Sequence, residues 1–96
     1  MDVEFLRELR AAKDEVLKAN ERLMFLYCAA EVFGSLSSAW KNNPLWKQVE
    51  LSGFDRVMLY HPSVIYWVID LAKRHGFKVS FDEKELKYTM TTMEQL

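Results

Sequence analysis

Ninety-six residues of which 50% are apolar and 14% aromatic exclude a disordered chain and leave room for one domain, 1–96. A formal net charge of −1, from 13 basic and 14 acidic residues, argues against a mainly electrostatic grip on nucleic acid. The single cysteine, Cys28, excludes an intrachain disulfide and fits a reducing, cytoplasmic setting.

The chain opens on a long helical signal. Val3 to Phe33 contains neither Gly nor Pro, Asp2 is placed to cap the first turn, and Glu4 suits its positive end. Asp14 with Lys18 is a well-oriented i,i+4 pair. Phe5, Leu9, Ala12, Val16, Ala19, Leu23, Leu26, Ala30 and Phe33 recur at alternating steps of four and three. That spacing places them on one stripe of a helix over 3–33, with coiled-coil-like periodicity for about four heptads. Up to Arg22 charged residues surround the seam, so this half reads as an arm with one apolar edge. From Leu23 to Ala30 the sequence is uncharged, which predicts burial on all sides. Ala12 and Ala19 let a partner helix approach closely. Phe5, Leu9, Ala12, Val16, Ala19 and Leu23 are therefore the expected self-association residues, and a homodimer the expected assembly.

Gly34-Ser-Leu-Ser-Ser38 predicts an end or a kink. Asn42-Asn43-Pro44 predicts a stop. Residues 35–75 read as a helical core. Leu45 to Leu51 suits a short helix, and Ser52-Gly-Phe-Asp55 has the spacing of a capping box that would open another through Tyr60. A strand over Arg56–Tyr60 is the alternative, because periodicity cannot settle so short an apolar run. Pro62 suits a first helical turn. Val64 to Ala72 then predicts an almost wholly apolar helix, closed by Lys73-Arg-His-Gly76. Alternation of Phe77, Val79 and Phe81, and of Leu86, Tyr88 and Met90, around a polar Asp82–Glu85 loop predicts a β-hairpin over 77–91. The fold expected is α+β and mainly helical: a long N-terminal helix, two or three shorter helices, and a C-terminal β-hairpin.

Chemistry is sparse. The acidic and basic residues near the start do not suit a signal peptide, and the longest apolar run is eight residues against the roughly 20 of a membrane span. A soluble intracellular protein is expected, away from membranes. His61 and His75 stand too far apart to start a metal site, and no residue pattern asks for a cofactor. Trp40, Lys41, Trp46, Lys47, Arg56, Tyr60 and His61 mix rings with cations over 40–60. Such a segment suits a protein partner or a nucleotide-like anion; the competing assignment makes the tryptophans core rings.

Arg56 and His61 form R-x-x-x-x-H, which resembles the motif of HEPN-type ribonucleases and implies a dimeric, acid–base cleavage of RNA. Val57 stands where that family is usually polar, and Pro62 interrupts the helix that would carry the motif. The alternative pairs Arg56 at the surface and makes His61 a helix cap. The order of helices, apolar helix, Gly and hairpin also resembles a winged-helix layout, implying 62–75 as recognition helix and 77–91 as wing. Val64, Ile65, Trp67, Val68 and Ile69 leave few positions there for reading a groove. The leading expectation is a non-enzymatic interaction protein, a regulator, adaptor or inhibitor that self-associates through its first helix.

Overall fold

The computed structural model describes residues 3–43 and 47–92. The chain runs α1 (Val3–Asn42), β1 (Gln48–Ser52), a short 3-10 helix (Val57–Tyr60), α2 (Pro62–Arg74), β2 (Phe77–Asp82) and β3 (Lys87–Thr92). The three strands form one antiparallel sheet in the order β1-β3-β2. The α+β, mainly helical class with a long first helix and a C-terminal hairpin is as the sequence reading has it.

The core lies where α1's second half, α2 and the sheet meet. Val32, Leu36, Val64, Val68, Ala72, Tyr88 and Met90 have no exposed surface. α2 presents Val64, Val68 and Ala72 at i, i+4 and i+8, one face of a helix. Pro62 sits in its first turn, and Gly76 follows its end at φ +82°, a backbone conformation that suits glycine.

α1 is longer than expected. It passes Gly34-Ser-Leu-Ser-Ser38 without ending and spans 40 residues, about 60 Å at 1.5 Å per residue. A helical Gly costs about 1 kcal/mol relative to Ala. Full burial of Leu36, two residues on, with Ala39 and Trp40 packed on the core, outweighs that cost. The Ser35 hydroxyl donates to the Glu31 carbonyl at 3.1 Å, and so satisfies itself within the helix. Asn43 closes the end, its side-chain amide donating to the Ala39 carbonyl at 2.9 Å. Asp2 and Pro44 lie outside the described residues.

The expected helix over 45–51 is not formed where the chain is described: 48–52 are an edge strand paired with β3, Val49 opposite Met90, and 45 and 46 lie outside the described residues. The alternation that buries Val49 and half-buries Leu51 is the sheet's period of two. In a run this short only the partner strand decides. The Ser52–Asp55 capping box is not used either. Helical geometry begins at Val57, after Arg56, as a single 3-10 turn with no side-chain cap. Leu86 belongs to the hairpin turn, exposed and at φ +50°, rather than to the inward face of β3. Asp82 Oδ1 organises that turn by accepting from the backbone of Lys84 at 2.9 Å and Glu85 at 3.3 Å.

Candidate self-association face

On α1 two apolar stripes diverge. The core stripe runs through Phe25, Cys28, Ala29, Val32, Leu36, Ala39 and Trp40. The heptad seam up to Ala30 lies roughly 120° around the helix from it, at 3.6 residues per turn, while the seam's last member, Phe33, packs on the core. The expected all-round burial of 23–30 is thus overturned. Cys28 and Ala29 are buried, but Leu23, Met24, Tyr27 and Ala30 are exposed. One helix cannot place a full circumference against a core that lies on one side of it.

The arm before the core is bare. Every residue from Val3 to Met24 is exposed. Phe5, Leu9, Val16 and Leu23 keep 50–58% of their surface in water. Ala12 and Ala19 between them are exposed as well. The radius of gyration is 18.0 Å, against about 13 Å for a compact chain of this length. The molecule measures 67 × 25 × 20 Å. The overhang is the arm, and all six expected self-association residues lie on it.

Towards the body, the seam carries a shallow, open patch on one face of α1 lined by Lys18, Ala19, Arg22, Leu23 and Leu26. The Arg22 guanidinium carbon stands 5.8 Å from the centre of the Trp67 ring, a cation–π contact that fixes it at the seam's flank.

The described cationic and aromatic residues of 40–60 do not gather into one site. Trp40 is half-buried, edge-on to Phe77 at 5.3 Å between ring centres. With Phe33, Ser37, Lys41, His75 and Phe77 it lines a cavity of about 270 Å³. Lys47 is exposed, and Trp46 lies outside the described residues. Arg56 reaches back to α1, its Nη1 2.7 Å from Glu31 Oε2 and its Nη2 3.5 Å from Cys28 Sγ. Tyr60 is half-buried, and its hydroxyl accepts from the Phe54 backbone at 2.7 Å. His61 caps α2, with Nδ1 accepting from the Ser63 backbone at 3.0 Å, and stacks on Phe25 at 4.5 Å. Arg56 and His61 each have a structural partner, as the alternative to the ribonuclease motif has it.

Sequence reasoning missed two of these relationships. Nothing local placed Arg56 beside Cys28, 28 residues away. Nor did it bring His75 and Phe77 to Trp40, although the helix stop at His75 marks a turn that carries the chain back past α1.

Among the described residues two ionisable groups are shifted. Burial pushes the Tyr88 phenol well above its ordinary value, with its hydroxyl donating to the Leu59 carbonyl at 2.5 Å. Glu85, then Glu50, raise the Lys87 ammonium, which stands 3.1 Å and 3.3 Å from their carboxylates. Among the described residues no group of three or more His, Cys, Asp or Glu side chains could hold a metal. α1 contains a window of mean hydropathy 1.2, long and apolar enough by composition to cross a membrane, as the core helix of a soluble domain also can be.

No family model, curated protein or solved structure matches the chain.

Proposed function

We propose that this chain is a non-enzymatic, cytoplasmic interaction protein. It pairs with a second copy through the arm of α1, and the paired body binds or inhibits a macromolecular partner as a regulator or adaptor. One observation carries the reading: among the described residues, no part of the chain covers the seam over 5–23. β1 and the 3-10 helix return to α1's second half and leave the arm bare. Each half-wet Phe, Leu or Val forfeits part of the roughly 1.5–3 kcal/mol that burial supplies. Several together rival a domain's stability of about 5–15 kcal/mol.

Light scattering on the whole chain and on Leu9→Glu/Val16→Glu tests it. The expected result is a dimer that the two glutamates split while the melting transition is kept, because both positions lie outside the core. A monomeric whole chain at micromolar concentration ends the proposal.

A second reading rests on the cavity of Phe33, Trp40, Lys41, His75 and Phe77. Rings with the Lys41 ammonium beside them suit a nucleotide-like anion. A rise in melting temperature with nucleotides, abolished by Trp40→Ala, is its test.

A further inference from the structure

We propose that the two arms pair antiparallel, in the register that sets Leu9 of one copy against Leu26 of the other. This rests on the self-association proposed above and adds its geometry.

In heptad terms Leu9, Val16, Leu23 and Ala30 occupy one core position, and Phe5, Ala12, Ala19 and Leu26 the other. A parallel pair stacks each residue on its own copy. Ala12, Ala19 and Ala30 would then each face alanine, leaving three underfilled layers in one short interface. An antiparallel pair alternates the two sets instead. In the proposed register Ala12 meets the partner's Leu23, Ala19 meets the partner's Val16, and Ala30 meets the partner's Phe5. Every small residue then faces a large one. Ala30, exposed beside buried Ala29, is open to such a contact.

Charge separates this register from its neighbour. One heptad shorter, the pairing still opposes small to large and sets Glu8 beside the partner's Arg22, but it also sets Glu15 against its own copy and Lys13 against its own copy, two repulsions the proposed register lacks. It also leaves Leu26 unpaired. In the proposed register Glu15 flanks the partner's Arg22 twice, once on each side of the two-fold axis. Among the described residues neither Glu15 nor Arg22 has an ion-pair partner within its own chain. Trp67 already holds Arg22 in place at the seam. On the opposite flank Leu6 meets the partner's Tyr27, both exposed apolar groups in the single chain. The parallel alternative gains only Glu8 against the partner's Lys13, an exposed pair that offsets little of the lost packing.

The open patch at Ala19, Leu23 and Leu26 is the receiving end of this pairing. The partner's Leu9, Ala12 and Val16 pack against it.

Charge reversal reads the register directly. Glu15→Arg and Arg22→Glu are each expected to raise the dimer dissociation constant roughly tenfold or more through two like-charge contacts. The double variant Glu15→Arg/Arg22→Glu is expected to recover most of that loss. Sedimentation of all three over a concentration series, with the unaltered chain alongside, supplies the constants. A second readout mixes Leu9→Cys with Leu26→Cys under mild oxidation, and separately Leu9→Cys with Ala19→Cys. A 9–26 cross-link supports the register. A 9–9 or 9–19 cross-link, or a double variant no tighter than the singles, overturns it while self-association stands. A monomeric unaltered chain overturns both.

Discussion

Ala29 and Ala30 are adjacent on α1, yet Ala29 has no exposed surface and Ala30 is open to water. The boundary between the face that folds the domain and the face that is left over runs between them. A helix turns by about 100° per residue, so one step carries the chain from α2 and the sheet to solvent. The seam read from the sequence follows Ala30, while the core follows Ala29.

Enlarging these two side chains is expected to have opposite consequences. Ala29→Leu overfills a packed core and costs about 1–3 kcal/mol. Ala30→Leu leaves the melting temperature within the range of ordinary surface changes, about 0.5 kcal/mol either way. Thermal unfolding at a fixed low concentration, where assembly does not contribute, compares them. Equal losses would show that the two stripes are wrongly divided.

Gly34→Ala is expected to stabilise the chain. The helix runs through Gly34, and an added Cβ there meets nothing within 4 Å. The gain is about 0.5–1 kcal/mol, from higher helix propensity and a less flexible unfolded chain. Urea unfolding should show a higher midpoint with an unchanged slope. A lower midpoint would mean that the helix needs a break at this point.

Tyr88 ties stability to alkaline pH. Its pKa is raised on folding, so the unfolded chain loses the phenolic proton first, near the ordinary value of 10.0. Its contribution is complete below pH 10 and declines as pH rises from there towards the folded value. Tyr88→Phe removes this dependence. At neutral pH it costs about 1–3 kcal/mol, because the Leu59 carbonyl loses its buried donor. Melting curves from pH 7 to 11 on both proteins check the sign. A Tyr88→Phe protein that still weakens as steeply above pH 10 would assign the effect elsewhere.

His61→Ala is expected to cost about 1 kcal/mol by uncapping α2. Arg56→Met should cost less, since the Arg56–Glu31 pair has side chains 57% and 46% exposed and such pairs contribute about 0–1 kcal/mol. RNA cleavage measured on the same two proteins decides the other assignment. Cleavage abolished by both, with folding intact, would restore the ribonuclease reading.

DNA binding is expected to be weak. The exposed turn of the hairpin carries Asp82, Glu83 and Glu85 against Lys84, and like charge repels a phosphate backbone. Titration of a fluorescent duplex at low salt is the check. Tight binding that falls steeply with added salt would favour the winged-helix alternative.

Much of this molecule was legible in local patterns. Pro62 and Gly76 bracket α2 because one cannot sit deep in a helix and the other readily leaves it. The alternation of Phe77, Val79 and Phe81 marks β2 because a strand shows its two faces in turn. The seam from Phe5 to Leu23 needs only the helical repeat. Tertiary structure decided the rest. It made 48–52 a strand, since a five-residue run takes whatever conformation its hydrogen-bonding neighbour offers, and β3 was that neighbour. It carried α1 past Gly34, since burying Leu36 outweighs a local preference of about 1 kcal/mol. It also chose which side of α1 meets the core, and brought Arg56 to Cys28 and Glu31. Periodicity reports that a face is apolar, but what covers that face depends on segments far along the chain.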